Sequence, residues 1–320
     1  MKPAAIAASD VASVLSPFVR ERPHYATDWH REWTREDHAR LLENAMTHDA
    51  ADGELMALKD GATVFGVATW KESAWDHAYF GLRHGRIGVL LADDIQTARN
   101  LATAVTESMA IARIEWGAAI VDARAKSAIT ALQESGWRVV WACAKMVCDT
   151  ARVDASATGF RDGELEVLPT TPDHVPILVE AANRLHDTHW LQTLDELPLD
   201  RRRVYVGELT RNCCTTDFAD VNLTLLRKGV PIGHNASKFF FAPEGVTALS
   251  YTFERNTFID PALQSAGYGR FLERAVVKTL QSRVRLLTGR VRIEAPGMFR
   301  ILERAGFESR GGELYFARRF

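Results

Sequence analysis

Two stretches far apart in the chain share one pattern. Ala128-Ile-Thr-Ala-Leu-Gln-Glu-Ser-Gly136-Trp137 and Met298-Phe-Arg-Ile-Leu-Glu-Arg-Ala-Gly306-Phe307 both carry apolar residues at helical spacing, then a glycine, then an aromatic that opens a strand. Glycine ends such a helix because it takes left-handed backbone at little cost. A unit repeated at this distance predicts duplication, so the chain of 320 residues is expected to form two similar domains of roughly 150 residues. The polar, small-residue stretch 150–162 is the best linker. The expected domains are therefore 1–155 and 156–320.

The rest of the pattern alternates helix and strand. Residues up to 51 read as helices, one capped by Asp10 over Val11–Phe18 and one opened by Thr34 with Asp37 as an acidic capping box. Asp60-Gly61 is a hairpin signal between two apolar runs. Strands follow at Arg86–Leu91, Trp116–Val121 and Arg138–Val147, with helices at Thr97–Ile111 and Ala125–Ser135. In the second half a strand at Leu165–Leu168 precedes a helix capped by Asp173 and a helix at Arg201–Arg211. A hairpin across Lys228-Gly229 joins Val221–Arg227 to Val230–Phe241, and a long strand runs over Val246–Ile259. Helices at Gly267–Gln281 and Pro296–Ala305 alternate with strands at Arg285–Glu294 and Leu314–Arg319. The class is α/β (α+β), each half a mixed, mostly antiparallel sheet flanked by helices.

A net charge of −2 gives no basic excess for phosphate-backbone contacts, which disfavours nucleic acid as a partner. Arg201-Arg202-Arg203 and Arg318-Arg319 read as solvated faces. Cys143, Cys148, Cys213 and Cys214 form no CxxC pair, which fits a reducing cytoplasm. Asp10 interrupts the small-residue start before a signal-peptide core forms, and no apolar run reaches the roughly 18 residues of a membrane span.

Between the long strand and the Gly267 helix lies Pro261-Ala-Leu-Gln264-Ser265-Ala266-Gly267-Tyr268-Gly269. Glycines there let the backbone approach a ligand closely. The free amides and positive dipole end of a helix suit a pyrophosphate. An ordinary strand–helix turn would also explain the glycines. With the strand before it and the helix ending in Gly306-Phe307 after it, the segment resembles the GNAT superfamily of acyl-CoA-dependent N-acyltransferases. The resemblance covers nearly all of the second half. It implies acetyl-CoA, or another acyl-CoA, as cosubstrate. The backbone of Phe258 and Ile259 would hold the pantetheine arm. Gln264, Ser265, Ala266, Gly267, Tyr268, Gly269 and Arg270 would hold the pyrophosphate, although Arg270 serves equally as a solvated first-turn residue.

The first half resembles the same superfamily without a cradle. Ala92-Asp93-Asp94-Ile95-Gln96 has no glycine, and its two carboxylates would repel a pyrophosphate. Its Trp75-Asp76-His77-Ala-Tyr79-Phe80-Gly81 is similar to a segment of TDP-fucosamine acetyltransferase-like proteins, with His77 where that pattern has Ser. A buried aromatic corner with Asp76 capping a turn explains it as well. This half is expected to be degenerate, and available to cover the acceptor site or to form a homodimer.

The resemblance implies an acetyltransferase acting on a small-molecule amine. A base or water chain takes the ammonium proton, a strand amide polarises the thioester carbonyl, and an acid protonates the thiolate. The acceptor would be an amino sugar, free or nucleotide-linked, or else an amino acid, an antibiotic or a biosynthetic intermediate. A CoA-binding sensor is the other reading, because Leu302 stands where the family commonly has its acidic Tyr. Glu254 is the favoured base and His234 the alternative. Each also reads as ordinary strand furniture, Glu254 as a partner of Arg255 or Lys238. His189, Trp190 and Tyr251 are candidate acceptor contacts, with His186, Ser250 and Thr252 behind them. His186 and His189 have metal-ligand spacing but no third ligand, so no metal is expected.

Overall fold

The computed structural model describes residues 2–20, 33–153, 161–240 and 251–320. They fall into two compact units. One runs to Cys143 and is completed by Gly311–Phe320, and the other holds the described residues between Ala144 and Arg310. Among the described residues, no helix is long and apolar enough to cross a membrane.

In the first unit, β1 (Ala4–Ala5) precedes α1 (Val11–Arg20) and α2 (Arg35–Asp52). β2 (Gly53–Asp60) and β3 (Thr63–Glu72) form the expected hairpin, with Gly61 at φ 57°. Then come α3 (Ala74–Phe80), β4 (His84–Ala92), α4 (Ile95–Ile111), β5 (Trp116–Asp122), α5 (Lys126–Glu134) and β6 (Arg138–Asp149). The sheet order is β1-β2-β3-β4-β5, and β5 pairs antiparallel with the chain's last strand from Glu313 to Arg319. Alternating strand residues feed two cores. Leu55, Ala57 and Val67 pack with α1 and α2, and Leu58, Ala68 and Ile87 with α4 and α5.

The capping box at α2 is present, with Thr34 and Asp37 bonded reciprocally. Asp10 caps nothing. It closes a 3-10 turn over Ala8–Asp10, and its carboxylate accepts the Ser9 hydroxyl. The Trp75–Gly81 stretch is α3, ended by Gly81 at φ 71°, rather than a buried corner. Trp75 stacks on Tyr79 at 5.4 Å while both stay partly exposed.

The second unit contains β7 (Arg161–Asp162), β8 (Leu165–Pro169), α6 (Val175–Asn183), α7 (Leu199–Arg203), α8 (Tyr205–Thr215), β9 (Val221–Arg227), β10 (Val230–Phe240), β11 (Tyr251–Ile259), α9 (Tyr268–Leu280), β12 (Leu286–Arg292), α10 (Pro296–Arg304) and the start of β13 (Glu308–Arg319). The order is β6-β12-β11-β10-β9-β8-β7, with β6 contributing from Ala144 onward. Asp149 grips Arg285 at 2.5 Å, and the Thr150 amide and hydroxyl donate to the Arg285 carbonyl. α9 buries Leu272, Val276 and Leu280, four residues apart on one face, against the sheet.

Three local expectations change here. Thr171, not Asp173, caps the entry to α6, in a capping box with His174. The helix expected over Arg201–Arg211 is two, α7 and α8, broken at Val204. Arg202 is no solvated residue, because its side chain is only 15% exposed and holds Asp195 at 2.8 Å. The part of the long strand before Tyr251 lies outside the described residues.

The repeat read from the sequence has a hydrogen-bond signature. After α5 the Trp137 amide donates to Leu132 O at 3.0 Å, and after α10 the Phe307 amide donates to Leu302 O at 3.0 Å. Gly136 and Gly306 turn the chain at φ 80° and 97°. Both aromatics are buried in their own cores.

Candidate active site

β11 and β12 run parallel but part early. Their pairs are Tyr251↔Leu286, Thr252↔Leu287 and Phe253↔Thr288, while β11 continues to Ile259 and β12 to Arg292. On its other side β11 stays paired with β10 as far as Gly233↔Ile259. From Glu254 onward β11 therefore presents one edge of backbone groups to a wedge between the two strands. A β-bulge sits at the apex. Ala236 faces Asn256 and Ser237 faces Glu254, so the ladder skips Arg255.

At the end of β11 the chain turns through a 3-10 segment, Pro261–Leu263, capped by Asp260. Gln264 Nε2 donates to Ile259 O at 3.2 Å and braces this turn. Gln264, Ser265, Ala266 and Gly267 are exposed, and Ser265 and Gly267 both take positive φ, 68° and 87°. Tyr268 then opens α9, whose N-terminus no side chain caps among the described residues. The first-turn amides, which a helix's own ladder leaves without acceptors, remain open to a ligand, and the helix dipole favours an anion there. The two glycines do different work. A Cβ at Gly267 would meet nothing within 4 Å, whereas one at Gly269 would press Ile301 Cδ1 at 3.2 Å. Gly267 is needed for its backbone angle and Gly269 for packing against α10. Arg270 is exposed on the first turn, and Arg227 lies 5.8 Å over the Tyr268 ring. Phe258 and Ile259 bury their side chains, which leaves their backbone for any contact in the wedge.

The loop after α6 is strapped to both strands of the wedge. Arg184 reaches Asp260 at 2.7 Å, just past β11, and Arg292 at the end of β12 donates to the Asp187 carbonyl at 3.0 Å. Gln192, a residue the sequence reading passed over, organises the loop from within. Its buried Oε1 accepts from the Thr188 and His189 amides, both at 3.1 Å, and its Nε2 donates to Leu185 O at 2.9 Å. His189 accepts from the Leu191 amide and rests 4.7 Å from the Tyr205 ring, and Trp190 lies beside it at 6.1 Å. A concavity of about 200 Å³ opens here, lined by His186, Asp187, Gln192, Leu199, Arg202 and Arg203.

His234, on β10 opposite Phe258, is fully buried. Its Nε2 lies 3.4 Å from Cys214 Sγ. The pair has the look of a thiolate–imidazolium dyad, but burial prevents it. Burial pushes the His234 imidazole down to about 3 and the Cys214 thiol up to about 11, so both are neutral near pH 7. Among the described residues, His234 Nδ1 has no hydrogen-bond partner. Glu254 has its backbone at the apex of the wedge. Its side chain, those of Tyr251 and Thr252, and all of Ser250 lie outside the described residues. Leu302 is buried in the core with Phe307.

The first unit builds the same wedge. β4 and β5 pair in parallel only from His84↔Trp116 to Ile87↔Ala119, although β4 continues to Ala92. A bulge at Gly88 follows. There the Val89 amide donates to Thr69 Oγ1, whose hydroxyl donates to Asp49, which also holds Lys71 at 2.9 Å. A Cβ at Gly88 would collide with the Asp49 carboxylate. At the head of α4, Asp94 caps the helix, accepting from the Thr97 amide at 2.9 Å and the Thr97 hydroxyl at 2.8 Å. The Thr97 amide, then its hydroxyl, hold the Asp94 carboxyl below its ordinary range. A carboxylate of the chain thus stands where α9 is open.

The second unit thus sets splayed central parallel strands beside an uncapped helix. Solved structures carry the point further. A tandem GNAT protein from the clavulanic acid biosynthesis pathway superposes with a TM-score of 0.58 at 13% identity, over 99% of this chain and 98% of that one. A GCN5-related N-acetyltransferase from Sphaerobacter thermophilus gives 0.61 at 12% identity, over 99% and 95%. A GCN5-related glucosamine N-acetyltransferase region of a fungal multi-domain GH3 β-N-acetylglucosaminidase gives 0.62 at 12%, over 98% of this chain and 38% of that one. No protein-family description and no curated protein matches the sequence. The chain has the GNAT fold, and it has it in the tandem form.

Proposed function

We propose that the protein is an acetyl-CoA-dependent N-acetyltransferase of a small-molecule amine, and that its second unit alone binds acyl-CoA. The observation that carries this reading is the open wedge between β11 and β12 beside the uncapped start of α9. Backbone groups of Glu254–Ile259 would pair with the pantetheine amides as a further strand would. The amides of Gly267 to Arg270 would hold the pyrophosphate. The Asp94 cap on α4 supports a first unit without acyl-CoA.

In the reaction the neutral amine nitrogen attacks the thioester carbon. The C–N bond forms, the C–S bond breaks, the nitrogen loses one proton and the CoA thiolate gains one. Glu254, at the apex of the wedge, would take the amine's proton directly or through water. The amide of Arg255, released from the ladder by the bulge, would donate to the developing oxyanion. No side chain is assigned as the acid, because Leu302 is committed to the core, and water would supply the thiolate's proton. The resemblance of Trp75–Gly81 favours an amino sugar, free or nucleotide-linked, as acceptor, with amino acids next. Four free cysteines suit a reducing compartment such as the cytoplasm.

The test is calorimetric titration with acetyl-CoA, alongside Gly267→Trp. A side chain at Gly267 enters open space and would occupy the pyrophosphate site. The expected result is binding by the wild type and none by the variant. Equal binding by both would remove the cradle. Glu254→Gln should lower turnover and flatten its pH profile while leaving acetyl-CoA affinity unchanged, and an unaltered profile would remove Glu254 as base.

A further inference from the structure

The concavity beside the wedge has an unusual charge content for a site that takes an amine. Two arginines and a histidine line it, with a single carboxylate, Asp187. Asp195, with a side chain 92% exposed, partners Arg202 through one terminal nitrogen only. The Arg202 Nε is buried and has no hydrogen-bond partner among the described residues. Arg203 is exposed, with no ion-pair partner among them. Asp187 shares the lining with these cations. Its backbone is pinned by Arg292 at the end of β12, with φ 54°, which sets it at the rim of the wedge. Two guanidiniums and a carboxylate lining one concavity are the complement of a molecule that bears an acid and an ammonium together.

We propose that the acceptor carries an acidic group beside its amine, the acid held by Arg202 and Arg203 and the ammonium received by Asp187 at the mouth of the wedge. The proposal rests on the acetyltransferase reading above and narrows its substrate class. Carboxylate and phosphate both satisfy the guanidinium pair, so an amino acid and a phosphorylated or nucleotide-linked amino sugar share the required chemistry. Gln192 and Leu199 complete the wall with an amide already committed to the loop and an apolar surface. This leaves specificity to the charges. Asp187 would hold the ammonium before transfer of its proton and acts as a positioning residue.

The experiment is a panel of matched amines read by release of the CoA thiol: amino acids against their amides, and glucosamine 6-phosphate and a nucleotide-linked amino sugar against glucosamine. The acid-bearing member of a productive pair should be at least about tenfold better in kcat/KM, the scale of one charge-assisted hydrogen bond. The amino-acid and sugar-phosphate arms separate the two sources of the acid. Arg203→Gln, at an exposed position that leaves the fold intact, should raise KM for that member about tenfold or more. It should leave KM for acetyl-CoA unchanged and shrink the preference for the acid-bearing member over the neutral one. Asp187→Asn keeps a residue type that tolerates positive φ and should raise acceptor KM without changing acetyl-CoA affinity. Preference for neutral amines, or an Arg203→Gln effect on acetyl-CoA rather than on the acceptor, would overturn the proposal. So would binding of acetyl-CoA with neither turnover nor thermal stabilisation by any acid-bearing amine, an outcome that leaves the acyl-CoA site standing. Failure to bind acetyl-CoA removes the underlying reading and this one with it.

Discussion

His234 offers a sharp test of the second unit. Burial holds its imidazole at about 3, against 6.5 for the free group. The unfolded chain therefore takes up a proton below pH 6.5 that the native chain refuses until about pH 3. Stability is full above pH 6.5 and falls through that window as the pH drops. At 1.36 kcal/mol per pKa unit the whole shift is worth about 5 kcal/mol, of which about 2 kcal/mol is lost between pH 7 and pH 5. The perturbation is His234→Gln, which removes the titrating group. Urea unfolding read by pulsed hydrogen exchange on β10 peptides isolates the second unit's transition. The wild type should lose about 2 kcal/mol more than the variant on going from pH 7 to pH 5. Equal losses, or a His234 ring that titrates near pH 6.5 in the folded protein, would refute the buried neutral imidazole. Either result would strengthen His234 as the catalytic base.

Three further outcomes follow from named contacts. Asp94→Ala removes the α4 cap and should cost about 1 kcal/mol in the first unit, measured by denaturation, with no change in acetyl-CoA affinity. Arg184→Met cuts one strap across the wedge. The pair is partly exposed on the arginine side, so acceptor KM should rise only about threefold at unchanged acetyl-CoA KM. Leu302→Ala opens a hole in the second core and should cost about 2–5 kcal/mol, read from the urea midpoint.

What could be read beforehand was whatever local chemistry decides. The Thr34 box, the Asp60-Gly61 and Lys228-Gly229 hairpins and the Gly-aromatic endings of α5 and α10 all depend on a few adjacent residues. All of them form. The turn at Gln264–Gly269 was legible for the same reason, since glycine and proline placement fixes it. The pairing of the last strand was not. Glu313–Arg319 bonds to β5, nearly two hundred residues earlier, and alternation of side chains is silent about which edge a strand will join. The split at Val204 and the burial of Arg202 arise from packing around the loop that Gln192 ties together. A glutamine in sequence carries no sign that its amide will meet two backbone amides and a carbonyl. The bulge that sets the position of Glu254 was legible only as a risk to strand parity, because one skipped residue leaves no mark in composition.

The two halves together separate what belongs to the fold from what an acyl-CoA site would add. Both part their central parallel strands after three or four residue pairs, and both place a bulge on the first of those strands close to the point of parting. The wedge is thus a property of the fold and cannot by itself mark an acyl-CoA site. The difference lies beside it, at the bulge and at the start of the helix that follows. In the first unit Thr69, Asp49 and Lys71 satisfy the bulge and Asp94 satisfies the helix. In the second, glycine replaces the capping carboxylate, and the α9 amides are left for a ligand's anion. A helix end with glycine in place of a capping side chain forgoes only about a few tenths of a kcal/mol, and a pyrophosphate bound there would supply those hydrogen bonds with a fuller charge than a side-chain cap provides. On this account acyl-CoA should raise the second unit's unfolding temperature and leave the first unit's unmoved.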